Sequence, residues 1–164
     1  MAKDTVYFSS FRESGKLDNA SAISRTVPRS FRGPRITELA PTMAMVQRYK
    51  RNPDGQWQWF IKEYIELLYS RDDLDRIYEQ CIGRVLLCHC KPDVLCHRII
   101  LAKTFEIEFG AEVSEIGGWR VPFNKPFEKI PSFGSIMLSD VDGVGDIDAV
   151  GNYRMLVEIL RGGA

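Results

Sequence analysis

Apolar positions along this chain follow two different periods. Thr5-Val-Tyr-Phe-Ser-Ser-Phe11 is β-branched and aromatic, which predicts a first strand. Residues 12–41 show little periodicity and carry Gly15, Pro28, Gly33, Pro34 and Pro41, so a long loop is expected. A short helix is predicted at about residues 42–50. Trp57, Phe60, Ile61, Tyr64, Ile65 and Leu68 then keep the i, i+3, i+4, i+7 spacing of one buried helical stripe. Ser70 is placed to cap a following helix, where Leu74, Ile77, Tyr78, Cys81 and Ile82 share a face and Gly83 suits the end. Arg84-Val-Leu-Leu-Cys-His89 is a short apolar run bounded by turn signals, the pattern of a buried central strand. Pro92-Asp93 turns the chain, and Asp93 is the expected N-cap of a helix running to about Phe109 and closed by Gly110. Ala111–Ile116 reads as a further strand. A strand at Ser135–Val141 and a final helix capped by Asp148, with Val150, Tyr153, Val157 and Leu160 inward, complete the expectation.

Strands that alternate with helices require crossover connections. These give an α/β fold, a three-layer sandwich with a mostly parallel central sheet and helices on both faces. At 164 residues the chain fits one domain, residues 1–164. Ligands in such folds bind at the carboxyl ends of the strands. Cys88, His89 and Cys90 fall at that edge.

Composition adds two constraints. An apolar fraction of 45% and a charged fraction of 27% are those of an ordinary globular protein. Net charge is zero, but residues 1–60 hold twice as many basic as acidic side chains, while acids outnumber arginines in residues 136–164. The basic third points to an anionic ligand or a nucleic acid, unless its arginines pair with acids elsewhere in the fold. No segment approaches the roughly 20 apolar residues of a membrane span, and the N-terminus lacks the apolar core of a signal peptide. Cys81, Cys88, Cys90 and Cys96 crowd into one segment, a poor distribution for stapling a domain. Free thiols or a metal in a reducing cytoplasm are expected.

The segment Val85–Arg98 carries the densest chemistry. With Asp93 as N-cap, Cys96 would fall in the first helical turn, where free N–H groups and the dipole favour a thiolate. His97 and Arg98 add cationic neighbours, and the helix start is an anion site. Cys90 precedes Arg98 by eight positions, so the spacing of the cysteine phosphatase loop, five residues between Cys and Arg, is not met. Zinc is the second reading, with Cys88, Cys90, Cys96 and His97 as ligands, although Cys-x-Cys-x5-Cys-His is an uncommon spacing. The third is packing, since buried cysteine behaves as a small hydrophobe, and Cys81 and Cys88 are the natural candidates.

Leu86-Leu-Cys88 followed by Cys96-His-Arg98 resembles the signature of the family called domain of unknown function 488. Ser24-Arg-Thr-Val-Pro28, Leu39-Ala-Pro41, Tyr49-Lys50, Tyr64 and Gly110-Ala-Glu-Val113 are similar too. The likeness spans roughly residues 5–116 and leaves residues 117–164 as an extension packing on the same domain. It implies a compact α/β protein whose shared residues gather at one site. Family members often carry an acidic residue two places after the first cysteine; this chain has Cys90 there.

Arg25 and Arg29, with Arg32 and Arg35, lie in the long loop after the first strand, where guanidinium groups would face phosphate. Trp57 belongs to the apolar stripe; Trp59 lies off it and is free to stack. Trp119, after Gly117-Gly118, is placed to cover the site. Asp140, Asp142, Asp146 and Asp148 lack the spacing of a calcium loop. The expectation is an enzyme acting on a nucleotide, nucleoside or nucleic-acid base. Cys96, His97 and Cys90 would be catalytic, and Arg98, Arg25, Arg29, Cys88, His89 and Trp119 would bind the anionic substrate. A non-catalytic module for a small anion or nucleic acid, and a zinc-stabilised interaction protein, are the alternatives.

Overall fold

The computed structural model describes residues 4–91 and 96–119, apart from the side chains of Pro53, Asp54 and Gln58. The strand expected at Ser135–Val141 and the helix capped by Asp148 lie outside these residues, as does Asp93.

Four strands form one parallel sheet: β1 (Thr5–Ser10), β2 (Ala20–Ala22), β3 (Val85–Cys88) and β4 (Glu112–Glu115), in the order β2-β3-β1-β4. The register sets Tyr7 opposite Val85 and Ser10 opposite Cys88, so β1 and β3 end together. Side chains alternate across a strand, and the two faces separate cleanly. Val6, Phe8, Leu86 and Cys88 enter the larger core; Ala20, Ala22, Val85 and Leu87 enter a smaller one with Phe31.

Among the described residues, five helices surround the sheet: α1 (Phe11–Ser14), α2 (Met43–Arg51), α3 (Pro53–Tyr69), α4 (Leu74–Cys81) and α5 (His97–Phe109). The apolar stripe of α3 is buried as its spacing requires, with Trp57 packed beside Phe60. Every residue of α5 from His97 to Phe105 is buried, so this helix fills the centre of the larger core rather than lying on the surface. The smaller face carries the short α1 and the loop after β2, which contributes Phe31 and Val27. The result is the expected α/β architecture, with the second face covered mainly by loop. No helix among the described residues is long and apolar enough to cross a membrane.

Three local expectations are corrected. The loop of residues 12–41 contains α1, β2 and a 3-10 turn at Thr37–Leu39. Its return segment forms a parallel bridge between Ala22 and Arg35, with Ala22 N–H donating to the Pro34 carbonyl at 2.8 Å and Ile36 N–H to the Ala22 carbonyl at 2.8 Å. Ser70 closes α3 instead of opening α4. The N-cap of α4 is Asp73, whose carboxylate is engaged by Arg71 at 3.1 Å and Arg76 at 2.6 Å and makes no side-chain cap bond. Helix α5 starts later than expected, with Cys96 as its N-cap in extended geometry (φ −151°, ψ 176°).

Gly110 closes α5 at φ 65°, a conformation that glycine adopts without strain. Leu86 is wholly buried at the centre of β3. Leu86→Ala should cost about 2–5 kcal/mol through lost transfer energy and the cavity left behind. Urea unfolding followed by circular dichroism measures it; a loss under 1 kcal/mol would place β3 outside the core.

Candidate functional site at the carboxyl edge

The site grows from the coincidence of two strand ends and one helix start. Strand β3 delivers Cys88, β4 delivers Glu115, and the chain re-enters as α5 at Cys96-His97-Arg98. Arg98 sits in the first turn of α5, where a cation opposes the helix dipole. Its side chain is wholly buried, and anionic partners offset that cost. Nε donates to Glu115 Oε1 at 2.8 Å. Nη1 donates to Cys88 Sγ and to Cys96 Sγ, each at 3.2 Å, and to the Cys90 carbonyl at 3.3 Å. Nη2 donates to the Lys91 carbonyl at 3.1 Å. One guanidinium thus joins both strand ends, the connecting loop and two sulfurs.

Those sulfurs lie 3.6 Å apart, and the sulfurs of Cys88, Cys90 and Cys96 are all within 4.8 Å of one another, close enough to hold one metal ion. Cys88 is held well below the usual thiol range by hydrogen bonds from Cys90 and Cys96, helped by the charge of Arg98. The same bonds act in reverse on the donors. Cys90 is pushed up to about 11, chiefly by its bond to Cys88. Cys96 is pushed well above the thiol range by burial and by the other two sulfurs. Within the trio the shifts oppose one another, down at Cys88 and up at Cys90 and Cys96. Cys96, expected as the thiolate, is instead the N-cap, fully buried and shifted away from ionisation. Cys88, which packing alone could have explained, is the sulfur shifted toward ionisation. Cys81 shows what packing looks like: burial raises it to about 12, and its Sγ donates to the Ile77 carbonyl at 3.2 Å.

His97 is also buried. Its Nε2 lies 2.8 Å from the Ile23 carbonyl, an acceptor, so that nitrogen carries the proton. Burial lowers its pKa, which keeps the ring neutral with Nδ1 as its basic nitrogen. The Tyr64 ring meets it edge-on at 5.6 Å, and Tyr64 is fixed in turn by donating to the Leu39 carbonyl at 2.7 Å. His89 is exposed, with Nε2 2.7 Å from the Thr26 carbonyl.

A cleft of about 420 Å³ opens over this cluster. Its lining brings together Cys88, His89, Cys90 and His97 from the strand–helix junction with Arg25, Thr26 and Lys50 from the facing segments. Arg25 is held by donating Nε to the Pro41 carbonyl at 2.8 Å. Cys96 and Arg98 are not in the lining; they support the cleft from below. Arg29 is exposed outside it, and its carbonyl accepts from Arg32. Trp119 packs against Phe8, with ring centroids 6.0 Å apart, rather than over this cleft. Trp59 lies under the Arg48 guanidinium at 3.8 Å, away from the site.

Two contributors escaped the sequence reading. Glu115 is a buried acid at a strand end, a position whose only signal was its place at the carboxyl edge. Thr26 acts through its backbone carbonyl, which no side-chain pattern reveals.

This junction of Cys88 with Cys96-His97-Arg98 lies within residues 10–108, which match the family model described as the active DUF488-N3 subclade. The chain belongs to that family. The matched span is more than half of the chain and lies inside the region that carried the resemblance. No curated protein and no solved structure matches. Glu115 and Trp119 lie past the matched DUF488-N3 residues, so the partner of Arg98 comes from beyond them.

A buried cation stripped of its counter-ion is costly. Glu115→Leu should destabilise the fold by about 3–5 kcal/mol, and adding Arg98→Met should recover part of that loss. Chemical denaturation of both variants checks this; a neutral Glu115→Leu would mean that the sulfurs alone carry the guanidinium.

Proposed function

We propose that this protein is an enzyme acting on a nucleotide-like substrate, with Cys88 as nucleophile. One observation carries the reading: the Cys88 sulfur, which accepts from Arg98 and lies against two other sulfurs, lines a cleft bordered by cations. The cleft has the size of a small-molecule site, and Arg25 and Lys50 at its rim suit a phosphate. The family's description as an active subclade accords with catalysis.

In this reading Cys88 Sγ attacks an electrophilic carbon of the substrate, forming an S–C bond as the bond to the leaving group breaks. The leaving group takes its proton from Cys90, which lines the cleft and stays protonated up to about 11. Water then displaces sulfur from carbon and returns one proton to Cys90, restoring the Cys88 thiolate. His97, neutral and held by Ile23, positions that water, takes its proton at Nδ1 and passes it on to Cys90. Arg98 and Cys96 are positioning residues, because they touch Cys88 and not the substrate.

The three close sulfurs favour one second reading, a zinc site. A divalent ion would replace the protons of Cys90 and Cys96 and leave the charge of the cluster unchanged, with a fourth position open toward the cleft. His97, expected among the ligands, is not part of the group whose donor atoms all lie within 4.8 Å of one another. Zinc there would serve either a catalytic water or the stability of an interaction module.

Three measurements separate these readings. Iodoacetamide labelling of Cys88, followed by peptide mass spectrometry, should persist well below pH 9 and vanish in Cys88→Ser. Labelling that rises only near pH 9 would contradict a stabilised thiolate. The purified protein should be metal-free by elemental analysis. One zinc per chain, with Cys88 unreactive until chelator is added, would select the second reading. Saturating nucleotide should raise the melting temperature, as any ligand of the folded state does, and Arg25→Glu should abolish that rise.

A further inference from the structure

His89 borders a second cleft, of about 640 Å³, on its other side. Phe11, Pro28 and Phe31 form flat apolar walls, and Arg12 and Lys16 add exposed positive charge, with Glu13 the one acid in the lining. Phe11 and Phe31 meet edge-on at 5.1 Å, and Phe11 lies 4.8 Å from the His89 ring. His89 is fixed by Thr26, which lines the first cleft, while Pro28 and Ser30 of the same loop line the second. Arg29 is exposed between them. The two clefts therefore share one wall and one loop, and cations stand beside both.

We propose that the second cleft takes the neighbouring nucleotide of a single strand, so that the substrate is an oligonucleotide and not a free nucleotide. This rests on the nucleotide reading of the first cleft. A nucleic-acid strand alternates planar bases with phosphates. Aromatic and proline faces receive the former, and Arg12, Arg29 and Lys16 receive the latter. An acidic peptide would use the cations but would leave the aromatic walls without a matching partner. The thiol chemistry uses none of the residues that belong to the second cleft alone.

The test uses the full chain carrying Cys88→Ser, which prevents turnover. Affinities are measured by competition against a fluorescein-labelled single strand in fluorescence anisotropy. The competitors are the four mononucleotides, mixed-sequence single strands of two, four and eight nucleotides, and a polyglutamate peptide of matched charge. The step from one to two nucleotides should tighten binding about tenfold or more, the scale of one base stacked on an aromatic side chain. Arg12→Glu with Lys16→Glu, both exposed, should remove that gain, leave mononucleotide affinity unchanged, and reduce the slope of log affinity against log salt by about 1.4, as for two lost phosphate contacts on a single strand. Oligonucleotides that bind no tighter than mononucleotides, or that ignore the double substitution, overturn the inference and leave the nucleotide reading standing. Polyglutamate binding as tightly as the oligonucleotides also overturns it. Failure of every nucleotide and strand to bind overturns both.

Discussion

The site depends on a buried guanidinium. Arg98 is the one group that touches the end of β3, the loop that follows it, the end of β4 and the start of α5. A cation placed this deep must collect anions and carbonyls, and it collects them from four parts of the chain. Its position therefore fixes the positions of Glu115, Cys88 and Cys96 together. The charge of Cys88 follows from the same arrangement, because the thiolate is part of what balances the guanidinium.

The proposed function turns on how the three sulfurs divide their acidity. Burial alone would raise all three, as it raises Cys81. Mutual hydrogen bonding breaks that equivalence and lowers the sulfur that receives two bonds. The receiving sulfur is at the strand end facing the cleft, and the most deeply buried donor is at the helix start. The proposed nucleophile and its support are thus distinguished by their positions within one short segment.

The sheet and its helices were largely legible in the sequence. The apolar run at Val85–Cys88 and the stripe from Trp57 to Leu68 announce buried elements with periods that no loop would keep. The short β2 was hidden because Ala20-Ser-Ala22 has little strand propensity and forms only by pairing with β3. Ser70 and Asp93 looked like helix starts because local chemistry favours them there, but the helices begin where their residues first reach the core. The cysteine–histidine segment stands at the sheet edge where the pattern placed it, and the contacts within it were not legible. A helix-start cysteine reads as a thiolate from local rules. The deciding facts were the Cys88–Cys96 contact and the burial of Arg98 against Glu115, pairs distant in sequence that only the fold brings together.

The return segment at Pro34–Ile36 bonds along the outer side of β2. The sheet margin nearest the site is thereby occupied by the same loop that carries Arg25. Pro34 has no amide hydrogen to offer a further strand. The chain has in this way spent its own backbone to seal a border where an intruding strand would otherwise dock, and the rim of the cleft inherits a rigid hem.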